Sequence, residues 1–448
     1  MVGPPSDPGP DKLCRRDPAQ AALMMVLHNL PPDVATSQTT HAFCRLCGAA
    51  LEHVFVDLGM SPLSNANVPA DRPKAMEPFF PLCAYVCERC FLVQPQDFER
   101  PEHIFDSEYA YFSSYSSSWL DHCRRYTERI VARLGLDSNS QVIELASNDG
   151  YLLQYFLERG ISVLGVEPTA NTAHVARTKG ISTLVEFWGE RTALAVAAQT
   201  RADLLIANNV LGHVPDINDF VAGMRIALTE GGSITIEFPH LLRLIALNQW
   251  DTIYHEHFSY LSFTTAARVF EANGLRLFDV EEIPTHGGSL RVFGCHAADP
   301  RQPTAAAREM RERERAAGLE DVQTYLNFSA GVVEDKRQIL QLLINLKRDG
   351  NSIAGYGAPA KGNTLLNYCG VGRDFLDFTC DANPHKQGHV LPGTHIPILS
   401  PDAIRECRPD VVLILPWNIK DEIMEQLSYI REWGGRFAAR SPELRLFP

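Results

Sequence analysis

The sequence lacks any apolar run of the roughly 20 residues that a membrane-spanning helix requires. The best N-terminal run, Ala21 to Leu27, is too short, and no small-residue cleavage site of a signal peptide follows it. We therefore expect a cytoplasmic protein without a membrane partner. Positive charge is also scarce, with 41 Lys and Arg against 54 Asp and Glu. Phosphate backbones are bound by clustered basic surfaces, so we expect no nucleic-acid partner.

The remaining composition is that of a globular protein of several domains. The chain has 448 residues, of which 45% are hydrophobic and 21% are charged, which suggests two to four domains. A chain of this length does not need disulfides, so its 11 cysteines do not indicate them. Residues 1–40 are rich in Pro, Asp, Ser and Thr without sustained periodicity, which predicts a disordered or weakly ordered tail.

Two C-x2-C pairs predict a small zinc-binding domain at residues 41–100. The pairs are Cys44 with Cys47 and Cys87 with Cys90, and each supplies two thiolates on a tight turn. Four thiolates leave no open coordination position, so the site is expected to be structural. Cys83 remains an alternative ligand. The long separation of the pairs and the acidic chain disfavour a DNA-reading finger.

Residues 101–300 alternate apolar strands with helices, which predicts an open α/β sheet. The last two strands have no helix of normal length between them and are expected to form an antiparallel hairpin at the sheet edge. The predicted strands are Gln141–Leu145, Ser162–Val166, Asp203–Ala207, Ser233–Phe238, Arg276–Val280 and Leu290–His296.

Residues 301–448 are predicted to form a second α/β unit, after a linker at Asp299–Thr304. Arg308–Arg315 is interpreted as the solvated face of a charged helix, and Val332–Leu346 continues in helical rhythm. The predicted strands of this unit are Ser352–Tyr356, Phe378–Cys380, Val411–Leu415 and Gly435–Phe437.

The turn after the first strand of the central sheet predicts an S-adenosylmethionine site. Glu144, Ala146, Asn148 and Gly150 resemble the acidic-x-Gly-x-Gly-x-Gly motif of class I methyltransferases, and a helix is predicted over Tyr151–Leu157. Small residues are needed there because the backbone must approach the cofactor closely.

The ends of two further strands complete this site. Glu167 follows the second strand, where a carboxylate can accept hydrogen bonds from ribose hydroxyls. Asn208 and Asn209 follow a later strand, and ligands of open α/β sheets bind at the carboxyl ends of strands. A domain that binds NAD is the alternative, but G-x-G-x-x-G is absent here and an edge hairpin is unusual for that class.

A dense cluster of polar groups predicts the chemical site. The segment Tyr254–Phe258 packs four polar or titratable side chains into five residues, which would be costly to bury without a purpose. It is not the H-E-x-x-H motif of metalloproteases. A surface loop is the alternative here, and His213 by itself could be an ordinary residue at a strand end. Taken alone, the tyrosines at 109–115 favour helix packing.

Together these motifs resemble one family. The C-x2-C pairs and the segments ELASNDG, GVEP, NNVLGHV and YHEHFSYLS occur in this order in sugar C-methyltransferases of the tylosin and tetronitrose deoxysugar pathways. GYGAPAKGNTLLN and CDANPHKQG also resemble that family, so the resemblance covers roughly residues 41–440. It implies a class I methyltransferase Rossmann-like domain, flanked by an N-terminal zinc-binding domain and a C-terminal Rossmann-like domain that binds the sugar nucleotide.

The resemblance also implies the reaction. A methyl group would pass from S-adenosylmethionine to the carbon beside the ketone of a nucleotide-linked, TDP-type 4-keto deoxysugar through an enolate. His257 would be the base, Glu256 would orient it or hold a sugar hydroxyl, and Tyr254 and His213 would donate hydrogen bonds to the enolate oxygen. A tyrosine of the earlier cluster also belongs to the family site, and Tyr109 and Tyr111 both remain candidates.

The C-terminal unit supplies the predicted sugar-nucleotide site, formed by Gly357, Lys361, Asn363 and Asp381. Helix N-terminal amides and a lysine suit a diphosphate. A packing turn and a vestigial NAD domain are the alternatives. For the whole chain, the alternatives are methyl transfer to oxygen or nitrogen of another sugar or metabolite, a non-catalytic scaffold, and an oxidoreductase. The family is compatible with a monomer.

Overall fold

A computed structural model of the chain describes residues 42–71, 76–96, 112–440 and 443–448. Within these ranges the strands form sheets of three, seven, six and two strands. The predicted tail at residues 1–40, Tyr109 and Tyr111 lie outside the described residues. No helix in the described ranges is both long and apolar enough to cross a bilayer.

The three-stranded sheet brings the two cysteine pairs together. The antiparallel pairing of β1 and β3 places His53 opposite Val86, so the chain before β1 meets the chain after β3. A further short strand, β2, pairs with β14 of the C-terminal unit. The strands are β1 (His53–Ser61), β2 (Val68–Pro69), β3 (Phe80–Val86), β4 (Val93–Pro95) and β14 (His389–Val390).

The seven-stranded sheet has the order β10-β11-β9-β8-β5-β6-β7. The strands from β9 to β7 are parallel, and β11 runs antiparallel to both β9 and β10. This arrangement confirms the class I methyltransferase fold and the predicted edge hairpin. The strands are β5 (Gln141–Leu145), β6 (Ser162–Val166), β7 (Thr183–Leu184), β8 (Ala202–Asn208), β9 (Leu228–Pro239), β10 (Leu275–Ile283) and β11 (Ser289–His296).

Helices cover this sheet, and several start at residues whose side chains cap them. Asp216 accepts a hydrogen bond from Asp219 N at the start of α5, and Ser262 accepts one from Thr265 N at the start of α7. The helices are α1 (Ser117–Leu134), α2 (Leu153–Leu157), α3 (Ala170–Thr178), α4 (Glu190–Ala197), α5 (Ile217–Ala227), α6 (Leu241–Ala246) and α7 (Phe263–Ala272). Helix α2 begins two residues later than predicted, because Tyr151 and Leu152 belong to the preceding turn.

The six-stranded sheet has the order β15-β13-β12-β16-β17-β18, parallel except for β18. Its strands are β12 (Ile353–Tyr356), β13 (Thr379–Cys380), β15 (Ile398–Leu399), β16 (Val411–Ile414), β17 (Arg436–Arg440) and β18 (Leu444–Phe447). The helices of this part of the chain are α8 (Ala305–Ala316), α9 (Val322–Leu326), α10 (Phe328–Arg348), α11 (Ala360–Cys369), α12 (Asp402–Cys407) and α13 (Lys420–Gln426). Helix α8 packs on β10 of the seven-stranded sheet and on α7 rather than on the six-stranded sheet. The four predicted strands of the second α/β unit therefore form near their predicted positions, β15 and β18 are additional strands, and Asp299–Thr304 has no helix or strand.

The prediction that Arg308–Arg315 is a solvated face is wrong for part of helix α8. Arg308–Arg315 is not solvated throughout, because Met310 and Glu314 are buried. These two residues are four positions apart and therefore lie on the same face of the helix. Glu314 is buried because its carboxylate accepts hydrogen bonds from two backbone amides at the start of α7.

The zinc-region sheet packs between the other two sheets. Phe55 of β1 stacks on Phe328 of α10 with ring centroids 4.5 Å apart. On the other side, Cys87 and Cys90 share an apolar cluster with Ile236 of β9. Fully burying a side chain such as Phe55 contributes about 1.5–3 kcal/mol. The small sheet therefore contributes to the cores of both larger units.

Candidate active site and zinc site

The four predicted thiolates converge. The sulfur atoms of Cys44, Cys47, Cys87 and Cys90 all lie within 4.8 Å of one another. A tetrahedral zinc with Zn–S bonds of about 2.3 Å places its sulfurs roughly 3.8 Å apart, so the cluster fits zinc. Cys83 lies on β3 and is not part of the cluster. Zinc bound by these four residues has a structural role, since it would cross-link the two cysteine turns.

Both cysteine turns are attached to the methyltransferase domain. Arg45, between the first two cysteines, donates from a guanidinium nitrogen to Pro215 O at 3.0 Å. Asn218 at the start of α5 donates to Arg45 O at 3.1 Å. Arg268 of α7 donates to Cys90 O at 3.1 Å. The zinc site therefore fixes a surface that contacts the catalytic domain.

The predicted cofactor turn has the backbone that a glycine motif would have. Ala146, Asn148 and Gly150 all have positive φ, at 54°, 48° and 75°. Glycine adopts this region freely, whereas other residues do so at a cost. A Cβ on Gly150 would lie 2.4 Å from Ile181 Cδ1, so only glycine fits there. Positions 146 and 148 therefore keep the conformation of the motif without its glycines.

Two buried carboxylates lie beside this turn. Glu167 accepts from Asn148 N at 2.8 Å and Thr169 N at 2.9 Å, which joins the two predicted cofactor segments. Burial raises the pKa of Glu167 and, more strongly, that of Glu144. Neither oxygen of Glu144 has a hydrogen bond of ordinary geometry within the described ranges. The nearby Tyr151 hydroxyl opposes the rise of the Glu144 pKa only in part. A buried carboxylate of this kind fits the cationic groups of S-adenosylmethionine.

Asn208 is the last residue of β8, and Asn209 follows it at the same sheet edge. Both side-chain oxygens are buried without a hydrogen-bond partner in the part of the chain that the structure describes. Asn209 has a positive φ of 54°, and its backbone amide donates to Glu237 O at 2.7 Å. These two side-chain oxygens could accept hydrogen bonds from a ligand bound at the carboxyl ends of the strands.

The predicted catalytic loop brings three rings together. The His257 ring lies 4.0 Å from the Tyr254 ring and 4.6 Å from the His213 ring, measured between centroids. His257 Nδ1 lies 2.9 Å from Thr252 O. A carbonyl oxygen can only accept, so Nδ1 carries the proton and Nε2 is the basic nitrogen of the neutral ring.

Burial, with a smaller effect of nearby titratable groups, keeps His257 neutral. Burial is the largest cause that holds its pKa well below the ordinary value, and His213, Lys361 and His286 lower it further. Burial also lowers the pKa of His213 to about 4 and that of Lys361 to about 8. The side chains of Tyr254, His257, His213, His286 and Lys361 are called the pocket below. At neutral pH the pocket therefore contains uncharged imidazoles and a lysine ammonium group.

The Glu256 carboxylate bonds to the zinc region. Its Oε1 accepts from Asn65 Nδ2 of the zinc region at 2.7 Å, and it forms no hydrogen bond with His257 among the described residues. Burial raises the pKa of Glu256 to about 7, against opposing effects of Asn65 and Lys386. The structure therefore contains a contact of Glu256 with Asn65 and not the contact with His257 that orienting the base would need.

The C-terminal turn is shaped by Gly357 and Asp381. Gly357 has a φ of 88°, and a Cβ there would lie 2.5 Å from Pro416 Cδ. Asp381 Oδ2 accepts from Ala358 N at 2.7 Å, and its Oδ1 accepts from Asn383 N at 2.8 Å. Gly357 and Asp381 therefore stabilise the conformation of the turn, as the alternative of a packing turn predicts.

Lys361 and Asn363 on α11 face different surroundings. Lys361 Nζ donates to Asn418 Oδ1 at 2.9 Å, lies 4.5 Å from the centre of the Trp417 ring, and acts electrostatically on His257. Asn363 is 1% exposed and donates to Ser64 O at 3.2 Å. Lys361 therefore belongs to the pocket, whereas the Asn363 side chain has no surface for a ligand.

Two further residues of this site were not predicted from the sequence. His286 has a positive φ of 56° at the tip of the edge hairpin, and burial lowers its pKa to about 4. Asn65 contacts Glu256 from the zinc region. The hairpin tip was a detectable signal for His286, since the hairpin was predicted at this sheet. No local pattern marks Asn65.

Two serines within the tyrosine segment 109–115 contact the cofactor turn. Ser113 N donates to Asn148 Oδ1 at 2.9 Å, and the Ser114 hydroxyl donates to Asp149 Oδ2. The candidates Tyr109 and Tyr111 lie outside the described residues, so the choice between them stays a prediction.

Three family models match successive parts of the chain. Residues 44–105 match "Putative zinc binding domain", residues 119–280 match "Methyltransferase domain", and residues 284–442 match "C-methyltransferase C-terminal domain". The first match contains the cysteine cluster, and the second contains the cofactor turn and the catalytic loop.

Two curated relatives cover different shares of the chain. C-methyltransferase NovU from Streptomyces niveus is 36% identical over 404 residues, which is 90% of this chain and 96% of that protein. A ubiquinone biosynthesis O-methyltransferase from Rhodopseudomonas palustris is 27% identical over 115 residues, which is 25% of this chain and 45% of that protein.

Solved structures match over smaller parts. Magnesium protoporphyrin IX methyltransferase from Synechocystis, with bound SAH, is 15% identical, covers 38% of this chain and 82% of that chain, and has a TM-score of 0.30. The CcbJ methyltransferase from Streptomyces caelestis is 15% identical, covers 39% and 90%, and has a TM-score of 0.32. At these scores no argument rests on either structure. The near full-length match to NovU and the three domain matches show that the chain belongs to the family of zinc-containing, S-adenosylmethionine-dependent C-methyltransferases.

Proposed function

We propose that this C-methyltransferase acts on the carbon beside the ketone of a TDP-linked 4-keto deoxysugar, through an enolate. The observation that carries the proposal is the state of His257. Its Nδ1–H donates to Thr252 O at 2.9 Å, and burial keeps the ring neutral. A neutral imidazole with a defined basic nitrogen is suited to removing a proton from carbon.

In this proposal His257 Nε2 takes the proton from the carbon beside the ketone, and the electron pair of the C–H bond moves into the enolate. When bound, S-adenosylmethionine would supply the electrophilic methyl group that the enolate carbon accepts, and the electron pair of its S–CH3 bond would leave with S-adenosylhomocysteine. The protonated His257 then releases its proton to solvent. No oxidant or reductant is needed, and the ketone is restored.

The surroundings of His257 also favour the enolate. Lys361, which is an ammonium group at neutral pH, lowers the pKa of His257, which means that it disfavours a positive charge on that ring. Groups that disfavour a cation favour a developing anion in the same pocket. In our proposal Tyr254, whose ring centroid lies 4.0 Å from that of His257, donates a hydrogen bond to the enolate oxygen. The His213 ring lies 4.6 Å from the His257 ring and would line the site, because the N–H of its neutral ring already bonds the backbone of Glu256.

The remaining predicted residues divide between cofactor and substrate. We propose that Glu144, Glu167, Asn208 and Asn209 hold S-adenosylmethionine, with the turn at Ala146, Asn148 and Gly150 forming its backbone support. Lys361 is proposed to bind the diphosphate, because it is the cation beside the base. Gly357 and Asp381 would keep this region in shape, and Glu256 would hold a sugar hydroxyl.

The test is mass spectrometry of reactions in D2O that contain S-adenosylmethionine and TDP- and GDP-linked 4-keto sugars. With S-adenosylmethionine present we expect a product about 14 Da heavier, and with S-adenosylmethionine omitted we expect the recovered sugar to carry deuterium at the carbon beside the ketone. His257→Asn should abolish both, whereas His174→Asn on the exposed surface of α3 should retain both. Methylation without any dependence on His257 would contradict the assigned base.

The same experiment separates methyl transfer to carbon from transfer to oxygen or nitrogen. Only the enolate route exchanges the proton beside the ketone when the cofactor is omitted. Methylated product without such exchange in any variant would support an O- or N-methyltransferase. Absence of product with every keto sugar would remove the proposed substrate class.

A further inference from the structure

A short arm of the zinc region reaches the catalytic loop. The arm, residues 62–67, lies between β1 and β2 and is closed by two backbone hydrogen bonds. Ala66 N donates to Leu63 O at 3.1 Å, and Asn67 N donates to Asn65 O at 2.8 Å. These bonds fix the direction in which Asn65 leaves the arm.

Ser64 fastens this arm to α11. Its carbonyl oxygen accepts from Asn363 Nδ2 at 3.2 Å, and its hydroxyl lies 3.5 Å from the Thr364 hydroxyl. Thr364 in turn donates to Ile253 O at 3.1 Å, directly before the catalytic loop. The arm, α11 and the catalytic loop are therefore linked on one side.

Asn65 links the arm and the loop on the other side. Its Nδ2 donates to Glu256 Oε1 at 2.7 Å, across 191 positions of sequence. Glu256 is 7% exposed, whereas Asn65 is exposed. The contacts form a closed ring that runs from Ile253 through Thr364, Ser64 and Asn65 to Glu256. This ring restricts the Glu256 side chain, because its carboxylate is bonded to Asn65 and the chain just before it is bonded to Thr364 through Ile253 O.

We propose that Asn65 is a positioning residue for methyl transfer, which holds the Glu256 carboxylate ionised and in one orientation. The zinc-binding domain would then supply a residue to the active site in addition to stabilising the fold. This inference rests on the proposed function, in which Glu256 contacts a sugar hydroxyl.

The charges around Glu256 give the sign of the effect. Burial raises the pKa of its carboxyl to about 7, while the Asn65 hydrogen bond and the Lys386 ammonium group lower it. His213 contacts the backbone of Glu256. Neutral pH is therefore close to the midpoint of this titration. Loss of the Asn65 hydrogen bond would convert more Glu256 to its neutral acid at pH 7.

The experiment compares Asn65→Ala, Asn65→Asp and Ser64→Ala in the full zinc-loaded chain. The carboxyl carbon of Glu256 is followed by NMR in protein labelled with carbon-13 at the glutamate carboxyls, and Glu256→Gln assigns its signal. We expect the midpoint to move to higher pH in Asn65→Ala and further in Asn65→Asp, which adds a like charge. Ser64→Ala changes the same arm without removing the Asn65 amide and should leave the midpoint in place.

Turnover provides the second readout. Because Asn65→Ala removes a hydrogen bond to a charged carboxylate, its kcat at pH 7 should fall roughly tenfold and recover at higher pH. KM for S-adenosylmethionine should not change. An unchanged midpoint in Asn65→Ala, or an equal shift in Ser64→Ala, would overturn the inference. The titration needs no sugar, so failure of the keto-sugar proposal would be visible separately, as absent turnover in the wild type.

Discussion

Glu314 provides a quantitative test of how the charged helix α8 is held. Its side chain is fully buried and accepts three hydrogen bonds, from His240 Nε2 at 2.7 Å, Phe263 N at 2.7 Å and Thr264 N at 2.8 Å. Although burial raises the pKa of this carboxyl, His240 and the α7 amides lower it, and the pKa lies below its ordinary value. The carboxylate therefore satisfies the first free amides of α7.

Glu314→Ala should lower the free energy of unfolding by about 3–5 kcal/mol. The change leaves two buried backbone donors of α7 without an acceptor, at about 1–3 kcal/mol each. It also removes a negative charge from a helix N-terminus, which contributes about 0.3–1 kcal/mol or more. Glu314→Gln keeps one acceptor oxygen and should lose about 1–3 kcal/mol.

The assay is urea unfolding followed by circular dichroism and tryptophan fluorescence. Glu312→Gln on the same helix is the control, because Glu312 is exposed and its ion pair with Arg315 should contribute less than about 1 kcal/mol. A loss below about 1 kcal/mol in Glu314→Ala would refute the reasoning. Since the Glu314 pKa is lowered by folding, its contribution is present above about pH 4.3, the unfolded value, and is lost as pH falls through the folded pKa. The difference from Glu314→Gln should therefore shrink in acid.

Three further predictions concern the cofactor turn, the zinc site and the pocket. Ala146→Val should weaken S-adenosylmethionine binding in calorimetry and lower stability by about 1–2 kcal/mol, because φ is 54° there, whereas Ala146→Gly should retain binding. Cys87→Ser should lower the zinc content and the Tm, and complete loss of turnover in a stably folded variant would contradict a structural zinc. Because the pKa of Lys361 is about 8, KM for an anionic sugar nucleotide should rise above pH 8, and Lys361→Met should remove that dependence.

Much of the fold could be predicted because strand periodicity is local. Each long strand of the central sheet is visible as an apolar run, and Gln141–Leu145 and Ser162–Val166 match the structure at both ends. β7 was missed because Thr183–Leu184 has two residues, too few to show a period. Glu314 was misjudged for a different reason: a run of charges predicts solvent exposure unless a distant partner is known, and its partners lie about 50 positions away.

The candidate site shows the same difference between contacts that are local in sequence and contacts that are distant. Residues close together in sequence, such as Tyr254 and His257, could be identified as a cluster, and the structure brings their rings into contact. Asn65 could not, because it reaches Glu256 only through the pairing of the zinc-region sheet and its contacts with α11. Asn363 has the polar type expected of a ligand-binding residue, but tertiary packing buries it against Ser64.

The charge of the whole chain and the charge of the pocket lead to opposite expectations about the substrate. A net charge of −13 disfavours anions at long range. Within the pocket, however, Lys361 acts on both His257 and His286, and its effect on each is to disfavour a further positive charge. Interactions at such short range are screened little because the groups are buried. An anionic ligand would therefore be favoured in this pocket despite the acidic surface. It would also make His257 easier to protonate, so in our proposal the base becomes stronger once the sugar nucleotide is bound.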